Sequence, residues 1–379
     1  MPFSPHGNAP ADPETVKIDA LPERTGLKRN LRGKGLAARS RIRFEQAAPE
    51  QLSRAAPAPR VTPNGVEWLA VPGWERTNWL WHGFSTRRGG VSRAYCADGA
   101  PGELNLGFTS ADSQEAVAEN RRLLAEAVSG DPATPLITLR QVHSNLVVVA
   151  GGAEVGRDRS RTVGVPGDRS TSLGCKVGVP GDRSTSLGCK ADGLMTAEPG
   201  ILLGIQTADC IPVLVTDCQR RAVAAFHAGW RGTVNRIVET GVGRMRLEFG
   251  SRTEDLMAAI GPGIGPCCYA VGEEVFSSFE SQFAYARELF REVYDADPVR
   301  ASYPMLFLTQ RAPGHSPLGP SLHLDLVEAN RRQLLAAGLK PRAIKVVGGC
   351  TSCQPELFFS HRASRGHAGR MLAVIGIRR

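Results

Sequence analysis

Three residues of this chain are suited to hold one soft metal ion: His143 in Leu-Arg-Gln-Val-His, Cys210 in Gln-Thr-Ala-Asp-Cys, and His227 in Phe-His-Ala-Gly-Trp-Arg-Gly. Two imidazoles and one thiolate form a nitrogen- and sulfur-rich donor set. Three protein ligands leave the fourth tetrahedral position of a zinc ion open, the pattern of catalytic rather than structural zinc. Their separations do not follow zinc-finger spacing, so only the fold can bring them together. Taken singly, His143 reads more readily as a structural histidine and Cys210 as a small buried hydrophobe.

Two carboxylates are placed to assist. Asp209 adjoins the thiol and Asp192 lies in Ala-Asp-Gly-Leu-Met-Thr. Each is a candidate for proton transfer or for holding a ligating histidine by its second ring nitrogen. Arg231, at the start of the helix expected after His227, is a candidate anion ligand with dipole support from that helix start. Arg87, in an Arg-Arg-Gly-Gly turn, is a second. The donor-dense run Ser360–Arg370 would also suit an anionic substrate. A competing chemistry makes Cys210 a nucleophile activated by His227. Gly261-Pro-Gly-Ile-Gly-Pro is not a dinucleotide loop, because its glycine fingerprint is incomplete and its prolines block helix entry. Cys350-Thr-Ser-Cys353 has metal or redox spacing, and Cys267-Cys268 could join it in a structural zinc site; the alternative is a set of unligated thiols.

The elements that must position these residues read as a mixture of strands and helices without strict alternation. Strands are expected at 79–86, at 136–150 around His143, at 201–205 and 211–216 on either side of Cys210, and at 222–227, 256–260, 343–347 and 371–377. Helices are expected at 113–129, 233–249, 273–283, 287–294 and 325–337, the last capped by Asp325. The predicted fold is therefore α/β or α+β, a single domain with a mixed sheet. Residues 1–62 read as a disordered basic extension and 63–379 as the domain. Within it, the 14-residue stretch Val163–Lys176 recurs unchanged as Val177–Lys190. That stretch is rich in Gly, Pro and Ser and reads as a duplication in a surface loop spanning 151–190, as does 310–320.

At 379 residues the chain has ample material for a core, and no apolar run approaches a membrane span. The first twenty residues carry Asp12, Glu14 and Asp19 and lack the apolar stretch of a secretory signal. Nine cysteines, an odd number irregularly spaced, suit reduced thiols. A cytoplasmic monomer is the expectation. The net charge of +9 is concentrated between Arg24 and Arg43, which hold eight basic residues and no acid. This reads as a solvated arm rather than a nucleic-acid surface. A nucleic-acid-associated protein using that arm is the non-enzymatic alternative.

Several motifs together resemble the YfiH/laccase-domain family, also called the multicopper polyphenol oxidase or purine nucleoside phosphorylase family. They are His82-Gly-Phe-Ser-Thr-Arg-Arg-Gly-Gly-Val-Ser, Glu103-Leu-Asn-Leu-Gly, Arg140-Gln-Val-His, Ala191-Asp-Gly-Leu-Met-Thr and Thr207-Ala-Asp-Cys-Ile-Pro-Val. Further on come His227-Ala-Gly-Trp-Arg-Gly-Thr, Gly261-Pro-Gly-Ile-Gly-Pro-Cys-Cys-Tyr, Asp325-Leu-Val-Glu-Ala-Asn-Arg and Phe358-Phe-Ser-His-Arg. The resemblance runs from about Trp79 to the C-terminus. It implies a YfiH-like, cysteine-hydrolase-like fold with zinc on His143, Cys210 and His227. It also implies phosphorolysis of adenosine, inosine, guanosine and methylthioadenosine, with adenosine deamination as a companion. A Cys/His hydrolase of a cell-wall muropeptide amide is the enzymatic alternative. Copper oxidation of phenols suits the chain less, since it contains no His-x-His run. His361 stands where the family often has an aromatic residue.

Overall fold

The strand Met371–Ile377 shows how the layers are set. Side chains alternate across a strand, so Leu372 and Val374 face one way while Ala373 and Ile375 face the other. The first pair is buried with Leu123 and Leu124 of the helix Gln114–Ser129. The second pair is buried with Leu214, Val223 and Ala225 of a second sheet. Each large apolar side chain so enclosed contributes about 1.5–3 kcal/mol.

The computed structural model describes residues 45–47, 56–151, 186–293 and 321–379, all within the compact unit Phe44–Arg379. Among them, Met371–Ile377 lies mid-way in a seven-stranded mixed sheet. Its order is Arg60–Val61, Glu67–Leu69, Leu80–Ser85, Met371–Ile377, Leu202–Thr207, Leu136–Arg140 and Ser186–Lys190. Facing it is a six-stranded mixed sheet, in the order Ile344–Val346, Leu256–Ile260, Ile211–Asp217, Ala222–Ala228, Gly193–Thr196 and Val147–Val149. The helix Ile237–Phe249 lies on the strand Ala222–Ala228, where Gly241 lets the helix backbone approach the Phe226 ring. Leu326–Ala336 packs beside that helix, its first turn closed by the Asp325 carboxylate accepting from Glu328 N–H. Four short strands, Glu45–Ala47, Phe290–Val293, Ser321–Leu324 and Ala270–Val271, form a third sheet. No helix among the described residues is long and apolar enough to cross a membrane.

Three times the chain leaves the seven-stranded sheet and enters the six-stranded one, over residues 141–146, 191–192 and 208–210. These crossings carry His143, Asp192, and Asp209 with Cys210.

The mixed α/β expectation holds, with several mixed sheets in place of one. Some elements differ. Arg88–Ser92 is a strand rather than a turn, bridged to Glu103; Gly90 is required by close approach of the Glu103 backbone. The helix expected at 233–249 is two, Trp230–Val234 and Ile237–Phe249, separated where Arg236 turns left-handed at φ 58°. Residues expected as a helix at 287–294 form a 3-10 turn and the strand Phe290–Val293. A short apolar run has no decisive period, and pairing with Ser321–Leu324 settles it. Pairing also reaches ahead of residue 63, at Arg60–Val61 and Glu45–Ala47. The basic arm 24–43, the loop 310–320 and most of the duplication lie outside the described residues. The end of its second copy, Ser186–Lys190, is a strand beside Leu136–Arg140.

Candidate metal centre

Each predicted ligand sits at a strand end or crossing. His227 closes the strand Ala222–Ala228 opposite Pro212, just after the Cys210 crossing. The ligand atoms of His143, Cys210 and His227 all lie within 4.8 Å of one another. Cys210 Sγ is 3.9 Å from His143 Nε2, close to the roughly 3.6 Å separating a sulfur and a nitrogen on one tetrahedral zinc ion. The two imidazoles meet edge to face, with centroids 4.9 Å apart. His227 is buried, Cys210 half-buried and His143 exposed, so the group has a solvent-facing side. A Cβ at Gly229 would come within 2.9 Å of Cys210 Sγ and 3.1 Å of His143 Cδ2, so the glycine makes room for the cluster.

Asp192, fully buried, holds this arrangement. Its Oδ1 accepts from His227 Nδ1 at 2.8 Å, so Nε2 is the nitrogen that carries the lone pair when the ring is neutral. The same carboxylate accepts from the backbone N–H of Val142, His143 and Ser144 and from the Ser144 hydroxyl. This concave run of N–H groups is an anion nest. It offsets the left-handed backbone of His143, at φ 61°. Burial alone would push the Asp192 carboxyl up, but the His227 and Ser144 hydrogen bonds hold it at about 2. Burial likewise opposes a Cys210 thiolate, yet the adjacent His227 charge and the His143 hydrogen bond bring the thiol down to about 6. Burial pulls His227 down while Cys210 and Asp192 outweigh it, raising the imidazole to about 9. Cys210 is thus a thiolate at neutral pH, the form that ligates a metal or attacks an acyl carbon.

Asp209 lies next to Cys210 but turns its carboxylate away, accepting from Thr351 Oγ1 at 2.6 Å and Arg362 N–H at 2.7 Å. Its backbone is left-handed, φ 91°, which orders of magnitude put at about 1–3 kcal/mol of strain. Tyr269 feels Cys210, Asp209, Arg362 and Arg231; burial first, then the Cys210 charge, pushes its hydroxyl up to about 12. The Arg362 guanidinium lies 5.4 Å from the Tyr269 ring centroid. Arg231 is exposed, stacks on Trp230 and makes no ion pair among the described residues. The dipole support expected for it is slight, because the helix it begins has five residues. Arg87 is committed elsewhere: it pairs with Glu103 at 2.6 Å, donates to Tyr95 O at 3.3 Å and covers the Phe359 ring. The structure brings His143, Cys210, His227 and Asp192 to one place, and around them lie Tyr269, Thr351, Ser144 and Gly229, which sequence reasoning did not single out. Tyr269 and Gly229 stood inside quoted motifs, whereas Thr351 had no signal beyond its neighbouring cysteines.

The chain matches the multi-copper polyphenol oxidoreductase laccase family over residues 81–378. The chain belongs to this family. Among its laccase-family relatives is a purine nucleoside phosphorylase of Bacteroides thetaiotaomicron, 32% identical, covering 78% of this chain and 91% of the relative. The purine nucleoside phosphorylase YlmD of Geobacillus stearothermophilus is 34% identical, covering 78% of this chain and 89% of its own. Its crystal structure superposes with a TM-score of 0.59 over 84% of this chain and 98% of that one. The adenosine deaminase RL5, from an unknown prokaryotic organism, is 30% identical over 77% of this chain and 92% of its own. The laccase-family name implies several coppers. The donor set here fits a single ion: among the described residues the groups able to hold a metal are this one and a cluster of four cysteines. Two imidazoles and one thiolate suit zinc or one copper but cannot ligate a coupled copper cluster.

Proposed function

We propose that the protein is a zinc-dependent purine nucleoside phosphorylase, acting on adenosine, inosine, guanosine and methylthioadenosine, with adenosine deaminase activity. The observation that carries this reading is the convergence of His143, Cys210 and His227 on one point with a solvent-facing side, in a chain similar to proteins named for both activities. His143, Cys210 and His227 hold the ion, which supplies Lewis acidity toward a substrate oxygen or water. In phosphorolysis a phosphate oxygen bonds to the anomeric carbon, the glycosidic C–N bond breaks, and the purine nitrogen takes a proton. Arg231 holds phosphate, and Arg362, beside Tyr269, extends the basic rim. Arg87 contributes less, since its guanidinium already binds Glu103. In deamination water adds to the purine ring and ammonia leaves. Asp209, next to Cys210 in the chain, is the candidate for the proton transfer, although its carboxylate also accepts from Thr351 Oγ1 and Arg362 N–H; the Asp192 carboxylate is occupied by five donors, the N–H groups of Val142, His143 and Ser144, the Ser144 hydroxyl and His227 Nδ1. Asp192 therefore acts as a positioning residue. The small-molecule partners are purine nucleosides and phosphate, and the enzyme works as a cytoplasmic monomer.

The test is to incubate metal-loaded protein with inosine and phosphate and measure hypoxanthine and ribose 1-phosphate. Loss with chelator and return with zinc supports the reading; no turnover by zinc-loaded protein refutes it.

A second reading has one observation in its favour. Asp192, His227 and Cys210 form a carboxylate–imidazole–thiolate series with the thiol brought down to about 6, the arrangement of a cysteine nucleophile. A muropeptide amide hydrolase built this way keeps its activity in chelator and loses it on alkylation.

A further inference from the structure

Away from the catalytic ligands, two loops bring four cysteines together. Cys267 and Cys268 lie on the loop leaving the strand Leu256–Ile260. Cys350 and Cys353 follow the strand Ile344–Val346, its parallel neighbour. All four sulfurs lie within 4.8 Å of one another. Cys353 Sγ is 3.4 Å from Cys267 Sγ and 3.3 Å from Cys268 Sγ, and none of the four is in a disulfide. The sulfurs of a tetrahedral zinc–thiolate centre stand about 3.8 Å apart, whereas a disulfide joins them at about 2.05 Å. Adjacent cysteines can both turn inward here because the chain doubles back: Cys268 N–H and Tyr269 N–H each donate to Gly265 O at 3.0 Å. The Gly265 N–H points at Cys350 Sγ, 3.2 Å away, the kind of donor that stabilises a ligating thiolate.

We propose that Cys267, Cys268, Cys350 and Cys353 form a closed tetrathiolate site for a second, structural zinc ion. Four protein thiolates leave no open position, so the ion binds no substrate and acts as a cross-link between the loops. What it clamps matters for the catalytic cluster. Gly263 and Cys350 are bridged, and Thr351 N–H donates to Gly263 O at 3.0 Å. From these same loops Ile264 N–H donates to Asp209 O at 2.8 Å and Thr351 Oγ1 to the Asp209 carboxylate at 2.6 Å. The ion thereby fixes the strained residue preceding Cys210. The inference does not depend on the reaction assigned above.

Cobalt titration of the full chain, purified anaerobically and stripped of metal, tests it. Each thiolate–cobalt bond adds near-ultraviolet charge-transfer absorption, so the four-cysteine site announces itself by a band several times as intense as that of the one-thiolate site. The parent chain is expected to bind two equivalents, Cys210→Ala to keep the intense band, and Cys353→Ser to lose most of it. Cys353 is exposed, so that variant is the one least disturbing to packing. A measurement on the unsubstituted chain guards against misfolding: a mercurial added to zinc-loaded protein should release two zinc ions, and release of one only counts against the second site. A single equivalent, abolished by Cys210→Ala and unchanged in Cys353→Ser, overturns the proposal. So does a disulfide among the four found by mass spectrometry of the anaerobic protein.

Discussion

The Asp192 carboxylate lies 2.8 Å from His227 Nδ1, in a position closed to solvent. Through the same oxygen it takes the His143 backbone N–H at 3.0 Å, so one side chain orients two of the three proposed ligands. Asp192→Asn would place an amide NH2 among donors and leave some of them unmet. It is expected to weaken zinc binding about 10–100-fold. Competition with a chromophoric chelator measures this; an unchanged affinity would remove Asp192 from the site's support.

Thiol reactivity separates Cys210 from its neighbours. In metal-stripped protein Cys210, with its thiol near 6, is expected to alkylate readily at pH 7, with half-maximal rate near pH 6. Cys218, whose thiol burial and then Asp217 push up, should lag well behind. Adding zinc should protect Cys210 selectively. Peptide mass spectrometry after timed iodoacetamide treatment reads all three outcomes.

Arg87 and Arg231 are expected to fail differently. Arg231→Met should raise the KM for phosphate by about tenfold, the loss of one charge-assisted contact, with little change in melting temperature. Arg87→Met breaks the Glu103 pair and the cover over Phe359, and should lower stability by about 2 kcal/mol. Phosphate-dependent kinetics beside thermal melts distinguish them, and a reversed pattern would reassign the anion site.

His82 gives the fold a pH dependence. Burial, then the charge of Arg60, pulls its imidazole down to about 4, and its Nδ1 accepts the Val71 N–H. The unfolded chain, titrating near 6.5, therefore binds the proton more readily than the folded one between about pH 4 and 6.5. Stability contributed here is complete above that window and lost as pH falls through it, by on the order of 3 kcal/mol. Urea unfolding at pH 7 and pH 4.5, with His82→Gln for comparison, checks the sign: the variant should lose less.

The grouping of His143, Cys210 and His227 was legible as a proposal because these residue types have few chemical alternatives and stand in distinctive motifs. The break at Arg236 was not, because left-handed backbone at an arginine leaves no mark in composition; there the guanidinium meets Glu239 at 2.9 Å, a contact known only after folding. The commitments of Arg87 were hidden for a related reason. A basic residue in a glycine turn looks available, and its partners Glu103 and Phe359 come from distant parts of the chain. Phe290–Val293 read as helix because four apolar-flanked residues fit either period until a partner strand arrives.

The crossings between the two large sheets have a thermodynamic corollary. The proposed ligands His143 and Cys210 lie on separate passages across the seam and His227 on a strand of one sheet, so the three exist as a set only after both halves have docked, and ion capture and completion of the native state would become one equilibrium. By mass action, zinc at a hundred times its dissociation constant would add about 2.7 kcal/mol to the fold. On the proposed function the ion would serve as a rivet: heating zinc-loaded protein should release it together with separation of the sheets, in a single cooperative event.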